Sequence, residues 1–237
     1  MVIEASNQGQ EPVTAVLVSG GLDSAVLVAI QAETSVVQPI YIKGGLTWEE
    51  AEQSVLKNLF RTKAFASKVL SLVSLSVSLS DLYSSKHWAL TGKAPAYNTP
   101  DNDVYLAGRN ALLLTKTATY CSLKGITEIA IGPLAGNPFP DATPEFFSEM
   151  EKALSLGLDH PIKVNAPLAS FSKPEVIRLG ESLSIEWEFT LSCMNPIDTK
   201  HCGRCSKCRE RLQAFQAIEL QDPATYAYRP KNITTGQ

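Results

Sequence analysis

The sequence predicts an α/β protein: a parallel sheet covered by helices on both faces, with a small cysteine-rich region at its C-terminal end. Three observations predict it. The first is the run Val13-Thr14-Ala15-Val16-Leu17-Val18, apolar and rich in β-branched residues, which passes through Ser19-Gly20-Gly21 into the apolar stretch Leu22 to Ile30. A continuous apolar run without a period marks a parallel strand buried on both faces. The second is the alternation of such runs with helix-length segments, which gives right-handed crossovers between parallel strands. The third is the confinement of Cys193, Cys202, Cys205 and Cys208 to the last quarter of the chain.

The remaining elements follow in order. Val36 to Ile42 reads as a second strand, broken by Lys43-Gly44-Gly45. Thr47-Trp48-Glu49-Glu50 has capping-box spacing and predicts a helix to about Ala66. Val69 to Val77 alternates Leu and Val with Ser, as a third strand would. Residues 81–103 hold His87, Trp88, Pro95, Tyr97, Asn98 and Pro100 with no clear period. Such a stretch is either a lid over a site or a solvated loop. Gly108-Arg109-Asn110 leads into a helix that ends near Gly125, with Cys121 among apolar neighbours as a core residue. Glu128 to Gly132 is a fourth strand and Pro133 to Ala142 the loop after it. Thr143-Pro144-Glu145 opens a helix with a cap and a proline at the first helical position, ending around Leu156-Gly157. Ile162-Lys163-Val164 is a short strand, and Ser172-Lys173-Pro174-Glu175 is a second capping box, opening a helix to about Leu183. Residues 1–12 are polar and read as disordered or frayed. The expected division is an α/β domain over 12–185 and a metal-binding helical region over 186–237.

Composition narrows the function classes. The chain has 237 residues, is 44% hydrophobic and carries a net charge of −3, so nothing in its charge points to nucleic acid. No apolar run approaches the ~20 residues of a membrane span. Met1 to Gln8 lacks the basic start and apolar stretch of a secretion signal. A cytoplasmic location is therefore expected. There the five cysteines would stay reduced, which favours metal binding over disulfides.

Two constellations carry chemistry. Gly20 and Gly21 let the backbone approach a ligand closely, and the helix after them points unpaired N–H groups and its positive dipole end at the turn. That is a seat for phosphate, with Asp23 and Ser24 adding an acid and a hydroxyl. It lacks the Gly-Lys-Ser/Thr ending of a Walker loop and the Gly-x-Gly-x-x-Gly spacing of a dinucleotide fold. Arg109 at a helix start opposes the dipole. A bound phosphate or carboxylate would remove the conflict, as would pairing with Asp101 or Asp103. Cys202-Gly203-Arg204-Cys205-Ser206-Lys207-Cys208 forms two overlapping Cys-x-x-Cys pairs, and with Cys193 it offers four thiolates to a tetrahedral ion. Zinc in a closed, structural site is the favoured reading. An iron–sulfur cluster, a redox pair or free thiols are the alternatives, with His201 as a substitute ligand. The nearby Lys200, Arg204, Lys207, Arg209 and Arg211 form a basic patch whose default state is solvated.

Ser19-Gly20-Gly21-Leu22-Asp23-Ser24 behind a strand resembles the PP-loop of ATP pyrophosphatases, which cleave ATP between the α- and β-phosphates to adenylate a substrate. Taken in chain order with Gly108-Arg109-Asn110 and with the cysteines ending in Cys208-Arg209-Glu210-Arg211, the chain is similar to the QueC/ExsB family of 7-cyano-7-deazaguanine synthases. The likeness runs from Thr14 to Tyr228 and includes Pro140-Asp141, Pro144-Glu145-Phe146 and Leu154-Ser155-Leu156-Gly157.

The resemblance implies an ATP-dependent carbon–nitrogen ligase of queuosine precursor biosynthesis. It would join 7-carboxy-7-deazaguanine and ammonia into the nitrile, using ATP, Mg2+ and Zn2+. Val18, Ser19, Gly20, Gly21, Leu22, Asp23 and Ser24, with Gly108 and Arg109, would bind ATP. Ser19, Asp23, Ser24 and Arg109 would act on the phosphates, and Lys43, Asn137, Phe139 and Asp141 would meet the substrate. Cys193, Cys202, Cys205 and Cys208 would hold the metal. The expected partners are a small-molecule substrate and ammonia, without membrane or nucleic acid, a homodimer being left open. The family's Gln-Arg/Lys-His run after the second strand is replaced here by Lys43-Gly44-Gly45-Leu46-Thr47-Trp48. Its Ser-Gly-Tyr-Pro-Asp-Cys-Arg run is replaced by Gly136-Asn137-Pro138-Phe139-Pro140-Asp141-Ala142-Thr143. A related PP-loop ligase or amidotransferase acting on another carboxylate or base is the alternative these departures leave open.

Overall fold

The protein is described by a computed structural model over residues 11–228. The expectations for residues 1–10 and for 229–237 lie outside the described residues. In chain order the elements are β1 (Val13–Leu17), α1 (Leu22–Thr34), β2 (Val36–Lys43), α2 (Glu49–Leu59), β3 (Val73–Ser76) and α3 (Trp88–Thr91). They continue with α4 (Arg109–Lys124), β4 (Glu128–Ala130), α5 (Pro144–Leu158), β5 (Lys163–Asn165), α6 (Lys173–Ser182) and α7 (Ser206–Gln216). The five strands lie in the order β3-β2-β1-β4-β5 and every neighbouring pair is parallel.

β1 is the central strand, which is why its sequence is apolar without a period. Successive residues point to opposite faces of the sheet. Ala15 and Leu17 join Leu114 and Ala118 of α4 and Phe147 of α5. Val16 and Val18 join Val26 of α1, Leu56 of α2 and Ile177 of α6 on the other face. Both faces are covered, as the sequence predicts. Cys121 is fully buried in the first of these clusters, and burial pushes its thiol up to about 12.

Local signals were mostly realised, with three differences, the first being that the helix expected to run to about Ala66 ends at Leu59. Ser172 and Glu175 form their capping box, the Glu175 carboxylate accepting from Ser172 N at 2.7 Å. Thr143 caps α5 by accepting from Phe146 N at 3.1 Å. The Thr47–Glu50 box does not form: α2 starts at Glu49 with no side-chain cap. The Glu49 carboxylate instead accepts from Gly44 N at 2.5 Å and Gly45 N at 3.1 Å, fixing the turn after β2. A charged acceptor on two turn amides is worth more than a hydroxyl on one. The third strand is shorter than its alternating pattern, with Val69 meeting Val37 only at an isolated bridge.

Most described side chains of residues 81–103 are exposed, but the segment is anchored to the body at particular points. Ala89 is buried with Leu79, Trp48 and Met194, and Arg209 donates to Tyr97 O at 2.6 Å and Thr99 O at 2.9 Å. The C-terminal segment is likewise tied to the main body. Trp187, Ala214 and Phe215 belong to the buried cluster of α1 and α6. Arg211 leaves the basic patch altogether: it is 1% exposed and pairs with Asp222 at 2.8 and 2.9 Å. It also donates to Thr190 Oγ1 at 2.7 Å. Its partner comes from the tail beyond α7, so the basic run alone gave no sign of the pairing. Among the described residues, no helix is long and apolar enough to cross a membrane.

Candidate active site

The chain moves from β1 to β2 on one side of the sheet and later returns to β4 on the other side of β1. Loops leaving the carboxyl ends of β1 and β4 therefore diverge, and ligands of open α/β sheets bind in the crevice this creates. The Ser19–Ser24 turn stands at that point. Gly20 has φ +79°, and a side chain there would meet Val55 at 3.1 Å and Glu52 O at 3.3 Å, so only glycine fits without strain. Ser24 Oγ donates to Gly21 O at 3.1 Å and accepts from Ser19 N at 3.3 Å. Ser19 Oγ accepts from Gly21 N at 3.4 Å. These bonds fold the turn over the first residues of α1, whose N-terminal amides are available to an anion.

A chain of charges faces the turn. Lys173 Nζ, at the start of α6, donates to Asp23 Oδ2 at 2.5 Å and meets Glu210 of α7 at 3.0 Å. Lys207 meets the other oxygen of Glu210 at 2.5 Å. Burial works against the Lys173 charge, and Asp23 and Glu210 more than offset it, so its pKa is raised above the usual lysine value. Burial works against the Glu210 charge too, but the two lysines hold its carboxyl down at about 2. Asp23 Oδ1 is buried without a hydrogen-bond partner among the described residues. Arg109 is half-buried at the start of α4, and no hydrogen bond or ion pair joins its side chain to a described residue, Asp103 included. Beneath the turn, Tyr41 donates to Glu52 Oε2 at 2.6 Å. Burial pushes the Glu52 carboxyl up to about 8, against the pull of the Tyr41 bond and of Arg109.

Two connected clefts open here. The first, about 220 Å³, brings together Val18, Ser19, Asp23, Ser24 and Arg109 with Asn137 and Phe139 from the loop after β4. The second, about 270 Å³, shares Ser19, Asp23, Arg109 and Phe139 with it and adds Gly21, Leu22 and Glu52. Gly108, at φ +73°, caps α4 and so sets where Arg109 begins. Two of the four residues expected to meet the substrate are elsewhere. Asp141 is buried and turned into the α4 start, accepting from Asn110 N at 3.0 Å through its carboxylate and from Asn110 Nδ2 at 2.9 Å through its carbonyl. Lys43 is exposed at the end of β2 and lines neither cleft. Sequence reading did not single out Lys173, Glu210 or Glu52 for the site. Lys173 stands 150 residues from Asp23 in the chain, and its only local signal is membership of a capping box.

The four cysteines converge behind this wall. Their sulfurs lie within 4.8 Å of one another and all four residues are buried. The pairs Cys193–Cys205 and Cys202–Cys208 stand at 3.9 Å, and Cys205–Cys208 at 3.5 Å. A tetrahedron of sulfurs each about 2.3 Å from an ion has edges of about 3.8 Å, so the spacing fits a four-thiolate metal site. Backbone N–H groups of Cys202 and Asn195 point at Cys193 Sγ at 3.2 and 3.3 Å, as suits a sulfur carrying negative charge. His201 is buried behind the cluster, where its Nε2 accepts from Ser192 N at 3.1 Å. It is not among the converging ligand atoms. The cluster is joined to the Ser19–Ser24 turn by two routes. Gly20 O accepts from Leu191 N at 2.7 Å just before Cys193, and α7, which carries Cys208, also carries Lys207 and Glu210.

A turn of this shape at the switch point of a parallel sheet, opposed by cations, places the chain in the PP-loop class of nucleotide-binding α/β proteins. The family model of the queuosine biosynthesis protein QueC matches residues 13–219. The 7-cyano-7-deazaguanine synthase of Anaeromyxobacter dehalogenans is 30% identical over 222 residues, covering 90% of this chain and 94% of its own. That of Picrophilus torridus is 31% identical over 236 residues, covering 92% and 93%. That of Methanospirillum hungatei is 29% identical over 221 residues, covering 89% and 97%. The chain belongs to the QueC family.

Proposed function

We propose that this protein is an ATP-dependent ligase that converts 7-carboxy-7-deazaguanine and ammonia to the nitrile 7-cyano-7-deazaguanine. Family membership supplies the substrate class. The observation that carries the chemistry is the meeting of the Ser19–Ser24 turn with Lys173, Lys207 and Arg109 at one crevice. The acceptor carboxylate attacks the α-phosphate of ATP, and pyrophosphate leaves. Ammonia then displaces AMP to give the amide. A second adenylation, at the amide oxygen, and loss of the amide protons with AMP give the nitrile.

No protein nucleophile is required, so catalysis is alignment and charge stabilisation. The turn amides and the Ser19 and Ser24 hydroxyls receive the departing pyrophosphate. Arg109, without a protein partner among the described residues, is free to meet a phosphate. Lys173 is poised to pass from Asp23 to the leaving group, and Lys207 supports it. Asp23, whose Oδ1 has no hydrogen-bond partner among the described residues, would hold the magnesium that accompanies ATP, and that ion would add charge neutralisation. Zinc is the ion we assign to the four cysteines. A closed four-thiolate shell leaves no position for a catalytic water, so its part is structural. Asn137 and Phe139 would contact the nucleotide or substrate, while Asp141 acts by holding the start of α4.

The test is incubation of the purified protein with ATP, ammonium and 7-carboxy-7-deazaguanine. Nitrile and AMP should both appear by mass spectrometry. No substrate-dependent AMP would overturn the assignment.

A further inference from the structure

The second cleft has a composition that phosphate binding does not explain. Its upper wall is apolar and aromatic. Trp48 and Trp88 stack with ring centres 5.6 Å apart and planes 15° apart, flanked by Val104, Leu106 and Met194. Its polar floor holds Glu52, which is 8% exposed. Tyr41 occupies one oxygen of that carboxyl at 2.6 Å, and the other has no hydrogen-bond partner among the described residues. The only other acid lining this cleft, Asp23, is already held by Lys173.

We infer that this cleft is the acceptor subsite, built for a planar nitrogen heterocycle that lies against the Trp48–Trp88 wall and presents an N–H edge to Glu52. The inference rests on the synthase reading and adds where, and by which residues, the acceptor is held. Flat apolar walls suit a flat ring, since stacking is offered to any π-face and to few aliphatic acids. The second Glu52 oxygen, unpaired among the described residues and belonging to a residue that lines the cleft, can accept from a ligand donor, and a purine-like ring carries ring and exocyclic N–H groups. Arg109, Lys173 and Lys207 line the PP-loop side of the same cleft. A carboxylate on the ring would therefore point at the cations and at the phosphate seat, where it must attack. The placement also gives work to stretches that the phosphate chemistry left idle. Trp88, Val104 and Leu106 belong to the irregular segment and its continuation. Trp48 and Phe139 belong to the two strand-end loops that depart from the family pattern, and Met194 follows the first cysteine ligand.

The experiment is calorimetric titration of the full-length protein with 7-carboxy-7-deazaguanine and, separately, with a non-hydrolysable ATP analogue. Trp88→Ala and Glu52→Gln should each weaken acceptor binding by about tenfold or more and leave nucleotide binding within about twofold, which also reports an intact fold. Trp88→Phe should restore most acceptor binding. Unchanged acceptor affinity in both variants overturns the inference. So does an equal loss of nucleotide affinity, which would give the cleft to the adenine ring. If the wild type ignores 7-carboxy-7-deazaguanine but binds another purine-sized heterocyclic acid, and the variants lose it, the synthase reading fails and the subsite stands. If the wild type binds only non-planar acids, the subsite falls.

Discussion

Replacing Lys173 by alanine removes the cation that joins the PP-loop to α7. Its Nζ is 2.5 Å from Asp23 and 3.0 Å from Glu210, and the side chain is 20% exposed. Two effects follow. In the resting protein Asp23 and Glu210 face the Ser19–Ser24 turn with one cation fewer, Lys207 and Arg109 remaining, which opposes a polyphosphate. In the transition state the charge developing on the leaving pyrophosphate loses a donor. Removal of one such donor costs about 2.7–4 kcal/mol, or about 10²–10³-fold in kcat. Loss of stability should be smaller, about 1–2 kcal/mol, because the pair is partly open to solvent. The assay is pyrophosphate release under saturating acceptor and ammonia, with melting temperature measured alongside. Lys173→Arg should recover part of the rate by keeping the charge. A Lys173→Ala rate within about threefold of wild type would refute the reasoning.

Three further outcomes are expected. Cys205→Ser should lose bound metal, measured by plasma mass spectrometry, and should unfold earlier, since a structural metal can contribute ~10 kcal/mol to local folding; full metal content with an unchanged melting curve would contradict the structural site. Gly180→Ala should destabilise by about 1–3 kcal/mol in urea denaturation, because a Cβ there would lie 2.1 Å from the Trp187 ring; an unchanged midpoint would contradict the packing. Glu52 has its carboxyl raised from 4.5 to about 8, so its contribution to stability is full below about pH 4.5 and is lost as pH rises toward 8, at about 1.4 kcal/mol per pH unit between those values. Glu52→Gln cannot ionise, so it should gain on the wild type from pH 5 to pH 8, and a stability difference independent of pH would contradict the burial of that charge.

The sheet was legible because burial on both faces leaves a mark in Val13 to Val18 that no other environment requires. The Ser19–Ser24 turn was legible because it is local: strand, turn and helix start are consecutive. The cysteine cluster was legible because three of its four converging residues fall within seven positions. What could not be read was assembled from afar. Lys173 meets Asp23 across most of the chain, and Arg211 pairs with Asp222 from the segment beyond α7. Thr47–Glu50 misled because Glu49, one position away, found two turn amides instead. Lys43 was expected in the site from its place after a strand, but the end of β2 turns it to solvent. Asp141 was expected to touch substrate, yet its carboxylate is used by the first turn of α4. The irregular stretch 81–103 gave no period because few of its residues are buried, Ala89 and Trp88 reaching the Trp48 cluster from a short helix.

The central claim is that the acceptor carboxylate is activated by transfer of AMP. It is tested most directly with acceptor labelled by ¹⁸O in both carboxylate oxygens, followed by ³¹P spectroscopy and mass spectrometry of the nucleotide formed. The account predicts ¹⁸O in the phosphate of AMP, with the label gone from the nitrile. Label in inorganic phosphate with ADP as the nucleotide, or unlabelled AMP, would contradict it.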